Sequence, residues 1–92
     1  MSWDFDQAPN VACIATPYVM AGEAVLVVTH YDDDGSWAFL DGGTPDPESA
    51  MVVTMSAVLD RHPDLHSIAD LPPGWTAIRQ TAEGAWSRER TE

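Results

Sequence analysis

The sequence predicts an α+β domain: one mainly antiparallel sheet of four to six strands, with one or two short helices on one face. Two observations carry this. Short runs rich in β-branched and aromatic residues recur along the chain, with AVLVVTHY (24–31) and WAFL (37–40) the clearest. Short stretches bearing glycine or proline separate them, which suits tight connections. The chain of 92 residues fits one domain over 1–92 with a small core.

The elements are expected in the following order. Residues 1–9 form a loose lead with Trp3 and Phe5 as anchors. Val11 to Thr16 reads as a strand, stopped by Pro17. TPYVMAGE carries Pro17 and Gly22 and reads as a hairpin loop into the strand Ala24–Tyr31. Trp37–Leu40 is the next strand. GGTPDP (42–47) has two glycines and two prolines, so it is a loop.

Residues 48–62 allow two readings. In one, Asp46 caps a helix with Pro47 at its first position and Met51, Met55, Val58 and Leu59 as its apolar stripe. In the other, MVVTM is a strand and Ser56 caps a short helix, AVLDR. Consecutive Val52, Val53 and Thr54 favour the strand. Pro63 stops or restarts the chain, and Asp64–Ala69 forms a helical turn. LPPG is a break, Trp75–Gln80 is a strand, and the tail beyond Trp86 frays over 88–92.

Charge excludes some partners. Fifteen acids against four arginines and no lysine give −11, which repels nucleic acid and anionic membrane surfaces. A basic protein or a cation is attracted instead, although acidity also serves solubility alone. No apolar run approaches the ~20 residues of a membrane helix. MSWDFD is acidic and is followed by no apolar stretch, so no secretory leader is expected. The single cysteine, Cys13, makes no internal disulfide and suits a reducing cytoplasm.

The stretch HYDDDGSWAFLDGG (30–43) is the most unusual. As a calcium loop with Gly35 at the sixth position, it puts His30 first, Asp32 third, Asp34 fifth and Asp41 twelfth. A nitrogen donor and a short twelfth carboxylate fit a hard cation poorly. A turn explains more: Asp34-Gly35 as the central pair of a type I′ hairpin, since both tolerate positive φ. Asp32 would then oppose Trp37 and His30 would oppose Phe39. His30, Trp37 and Phe39 share one face with Leu26 and Val28, which makes His30 a core-edge histidine. Asp32, Asp33 and Asp34 stand at an exposed tip, available to a cationic partner.

Catalytic and metal constellations are weak. Cys13 opposes His30 only if Ala21-Gly22 is a two-residue turn, and no orienting third group is evident. His62 and His66 have the spacing of zinc ligands on a helix, but Pro63 lies between them and no third ligand is patterned. No serine sits in a nucleophile elbow, and Gly42-Gly43 lacks the lysine of a phosphate loop. No cofactor is expected. The four tryptophans are mostly core pegs, with any surface one an interface anchor.

Asp33–Gly43 (D-x-G-x-W-x-F-L-x-G-G), MVVTMSAVLD, HPDL, LPPGW-x-A-x-R (Leu71–Arg79) and Trp86 together resemble a family of small bacterial proteins. That family is an uncharacterised domain grouped with the immunity proteins of polymorphic toxin systems. The likeness covers residues 11–88. The order Gly35-Ser36-Trp37 departs from the family's D-S-G-W by one residue. The resemblance implies a strand after the glycine pair, and a non-enzymatic inhibitor that binds a cognate toxin.

The leading expectation is an acidic binding protein, immunity-like, facing a basic toxin. Its nominated contacts are Asp32, Asp33, Asp34, Trp37 and Trp75, the last because the proline-proline-glycine break can hold an aromatic near the surface. The alternatives are a small-molecule or metal-dependent activity using Asp and His residues, and an orphan domain that stabilises a larger assembly. Against the enzyme stands the missing set of nucleophile, base and orienting group.

Overall fold

The computed structural model describes residues 5, 8–33, 35–42 and 50–90. Six strands form one mixed sheet, and three short helical segments lie against one side of it. The strands are β1 (Ala12–Ala15), β2 (Val27–His30), β3 (Trp37–Leu40), β4 (Met51–Thr54), β5 (Trp75–Ile78) and β6 (Ser87–Arg90). The helices are α1 (Pro17–Met20), α2 (Met55–Arg61) and a 3₁₀ helix over Pro63–Ile68. This is the α+β architecture expected, with three short helical segments where one or two were expected.

The sheet order is β4-β1-β3-β2-β5-β6. One pairing, β1 with β3, is parallel; the other four are antiparallel. The expected hairpin between β1 and β2 is absent. TPYV instead starts a helix: Thr16 Oγ1 accepts from Val19 N at 3.2 Å, and Pro17 occupies the first turn, where its missing N–H costs nothing. The chain then turns at Gly22 with φ 107°. It returns on the far side of β3, so that β3 lies between β1 and β2. Cys13 therefore faces Val53 of β4, not His30.

Of the two readings for 48–62, the strand followed by a helix is the one observed from Met51 onward. Thr54 caps α2, its Oγ1 accepting from Ala57 N at 3.2 Å, where Ser56 was expected. Arg61 in the last turn donates through Nε to the Met20 carbonyl at 2.9 Å, tying α2 to α1. His62 leaves helical geometry at φ −135° and ψ 68°, as the residue before proline tends to. The GGTPDP loop lies, from Gly43 on, outside the described residues, as do Trp3 and most of the lead. Phe5 is buried, an anchor as expected.

The tail differs from expectation. Ser87–Arg90 pairs in register with β5, Ile78 against Ser87 and Trp75 against Arg90. SRER has no β-branched residue; the ladder to β5 holds it, not propensity.

Registers sort the strand residues onto two faces. Cys13, Ala15, Val28, Trp37, Phe39 and Ala77 point to the side of the helices. There they meet Val19, Met55, Val58, Leu65, Ile68 and Leu71 in a single core. Among the described residues, no helix is long and apolar enough to cross a membrane.

Candidate partner-binding site

The β2–β3 hairpin builds the acidic tip. Tyr31 N donates to Ser36 O at 2.9 Å, His30 pairs with Trp37, and Val28 pairs with Phe39. Four residues therefore separate Tyr31 from its partner Ser36, where a two-residue turn on Asp34-Gly35 would have set Asp33 against Ser36. Gly35 supplies the positive φ, 73°. The pairing is displaced by two residues from the one expected. A slip of one would exchange the faces; a slip of two preserves them. His30, Trp37, Phe39 and Val28 accordingly share the core face, as expected.

Asp32 and Asp33 are exposed, and Asp34 lies outside the described residues. Beside them stands the Pro72-Pro73-Gly74 turn. Gly74 N donates to the His30 carbonyl at 2.6 Å, and Gly74 has φ 84°. The Asp32 carboxylate lies directly over this turn: a Cβ at position 74 would sit 3.4 Å from Oδ2. Trp75 follows, in register with His30 and half-buried against the core. Two segments some forty residues apart thus bring Asp32, Asp33 and Trp75 to one end of the sheet.

Trp37 does not join them. It is 0% exposed, stacks on the His30 ring at 4.0 Å and 16°, and meets Phe5 edge-on at 4.9 Å. Its place on the same face as Val28 and Phe39 puts it in the core, so its nomination as a surface contact is corrected. Tyr31 takes the surface position instead. It is 38% exposed, directly preceding the acids. Its signal in the sequence was the alternation itself: His30 points inward, so Tyr31 points out.

His30 fixes the geometry of this end. Its Nδ1 lies 2.8 Å from the Leu71 carbonyl, which can only accept, so Nδ1 carries the hydrogen. Buried His30 thereby clamps the segment before Pro72 onto β2. His62 acts likewise elsewhere: Nε2 donates to the Val19 carbonyl at 2.8 Å. Among the described residues, no group of three or more His, Cys, Asp or Glu is arranged to hold a metal ion. Cys13 is buried with Val53, not His30, opposite it, and burial pushes its thiol up to about 11. A thiol so held is protonated at neutral pH and is a poor nucleophile.

Arg79 was legible only as part of a motif, and it organises the opposite end of β5. Nε donates to Val25 O at 2.9 Å, Nη1 to Ala82 O at 2.9 Å and Nη2 to Asp64 Oδ2 at 2.7 Å. Its guanidinium also lies 4.3 Å from the Trp86 ring centroid. These contacts join the 3₁₀ helix, the β5–β6 turn and the start of β2. At the sheet's edge, an Arg88 hydrogen bond at 2.8 Å holds the Asp70 carboxyl below its usual range. Both arginines are thus engaged by acids of the same chain.

Compared with known proteins, the chain matches no family model, no curated protein and no solved structure.

Proposed function

We propose that the protein is a non-enzymatic, cytoplasmic binding protein whose acidic surface meets a basic protein, in the manner of an immunity protein against a toxin. One observation carries this reading: Tyr31, Asp32 and Asp33 are exposed beside Pro72-Pro73-Gly74-Trp75 at one end of the sheet. Carboxylates steer a cationic partner, and adjacent aromatic and proline surface gives it something to pack on. The net charge of −11 adds long-range attraction to any basic partner. The motif resemblance of residues 11–88 to immunity-type domains points the same way. Toxins that attack nucleic acids carry basic surfaces, which an acidic protein can cover.

The test is affinity capture from the native lysate with two baits, the wild type and the Asp32→Asn/Asp33→Asn/Asp34→Asn variant. A basic protein held by the first and lost by the second supports the reading. Equal capture by both baits contradicts the site. Capture of acidic or neutral proteins alone contradicts the function.

A further inference from the structure

The helices cover one face of the sheet; the other carries a different chemistry. On that face, which no described helix covers, stand exposed Val52 and half-buried Ile14, Leu40, Val27 and Ile78, one each from β4, β1, β3, β2 and β5. Alanine and threonine lie between them, and among the described strand residues only Glu89, on edge strand β6, brings a charge to this side. Every described helix packs its buried side chains on the opposite side.

We propose that this open face is the interface of a homodimer, occupied by the same face of a second copy. Three arguments select that occupant. The first is patterning. An antiparallel sheet with a solvated face alternates apolar and polar residues, whereas strands covered on both sides read as near-continuous apolar runs. VACIA, AVLVV and WAFL are runs of the second kind. The second is charge. A basic partner is drawn to carboxylates, and among its described strand residues this face offers only Glu89. A second copy also carries −11, so it is repelled everywhere except where the acids are absent. Charge-depleted, apolar surface is the composition of homodimer interfaces. The third is size. The face is one side of a body measuring 28 × 27 × 26 Å, wide enough for a contact of the ~800 Å² per partner that a standard stable interface buries.

Two such sheets pack about 10 Å apart with their strands near −30°, as the layers of a sandwich do. Val52, 77% exposed in the single chain, then finds apolar contact across the interface. The acidic tip and the Trp75 turn lie at the end of the sheet and stay open. A dimer therefore presents two partner sites.

Sedimentation equilibrium of the full chain decides this. The expected result is a dimer at micromolar concentration that persists or tightens at ~1 M salt, where screening removes the repulsion between copies. Val52→Lys and Ile78→Lys sit at opposite sides of the face. Each is expected to raise the dissociation constant at least ~10-fold, with circular dichroism unchanged. Thr76→Lys reads the same arm as Ile78→Lys if that variant does not fold. A wild type that stays monomeric at ~200 µM overturns the proposal, because a standard interface binds far more tightly. A dimer insensitive to all three variants overturns it as well. A dimer broken by Val52→Lys but not by the β5 variants indicates edge-to-edge pairing of β4, which also overturns it.

Discussion

His30 donates from Nδ1 to the carbonyl of Leu71 at 2.8 Å, closing a loop of forty-one residues with one buried hydrogen bond. That bond and the ring's stacking on Trp37 at 4.0 Å hold the Pro72-Pro73-Gly74 turn beside the acidic tip. The candidate site is thus assembled by a side chain that never reaches the surface.

The first prediction follows from this clamp. His30→Ala removes a donor from a buried carbonyl and leaves a cavity against Trp37. The two effects together should cost about 2–4 kcal/mol of stability. Urea denaturation measures it. A loss below ~0.5 kcal/mol, the range of ordinary surface changes, would show that the clamp does not hold.

Arg79 and Asp64 should respond unequally to mutation. Arg79 is buried and serves two carbonyls, a carboxylate and the Trp86 ring, whereas the Asp64 side chain is 48% exposed. Arg79→Ala leaves Val25 O and Ala82 O without their donor and should cost ~2–4 kcal/mol. Asp64→Asn removes an ion pair open to water and should cost ~1 kcal/mol or less. Thermal melts of both variants compare them directly; equal losses would contradict the ranking.

Cys13 should be chemically silent in the folded protein. Its thiol is buried and pushed up to about 11 from its ordinary value of 9.0. A thiol reagent at neutral pH should label it only after denaturant is added. The linkage has a definite sign. Between pH 9 and 11 the unfolded chain releases this proton while the folded chain keeps it. The unfolded state then binds fewer protons, so stability falls as pH rises through that window. The Cys13→Ala variant should lose this alkaline slope, and retention of the full slope would assign it to other groups.

Much of the fold was legible because local chemistry and tertiary demand agreed. Val27–His30, Trp37–Leu40 and Met51–Thr54 are rich in β-branched or aromatic residues, and each forms a strand. The proline at 63 divides α2 from the 3₁₀ helix as its ring requires. Other features depend on long-range pairing that local pattern does not encode. Nothing in VACIA announces that its neighbours are β3 and β4 and not β2. SRER carries no strand signal, because its ladder is made by backbone groups that every residue has. At the candidate site, the acids and Trp75 could be named from sequence. Their proximity could not, since it depends on the contact between Gly74 and His30. Trp37 shows the opposite case: the alternation that aligns it with Phe39 already buries it.

Trp37→Ala and Trp75→Ala should therefore separate. The first empties a fully buried ring position and should cost ~3–5 kcal/mol, enough to unfold a small domain. The second removes a half-buried ring at the edge of the core and should leave a folded protein. Circular dichroism distinguishes them, and a folded, stable Trp37→Ala protein would contradict the core assignment.

The central claim is that the acidic tip steers a basic partner. Surface plasmon resonance with the captured partner, at low and high salt, tests it most directly. Exposed carboxylates act on association more than on dissociation. Neutralising Asp32, Asp33 and Asp34 to asparagine should slow association at low salt, flatten its salt dependence and leave dissociation nearly unchanged. An association rate and salt slope equal to those of the wild type would contradict the claim.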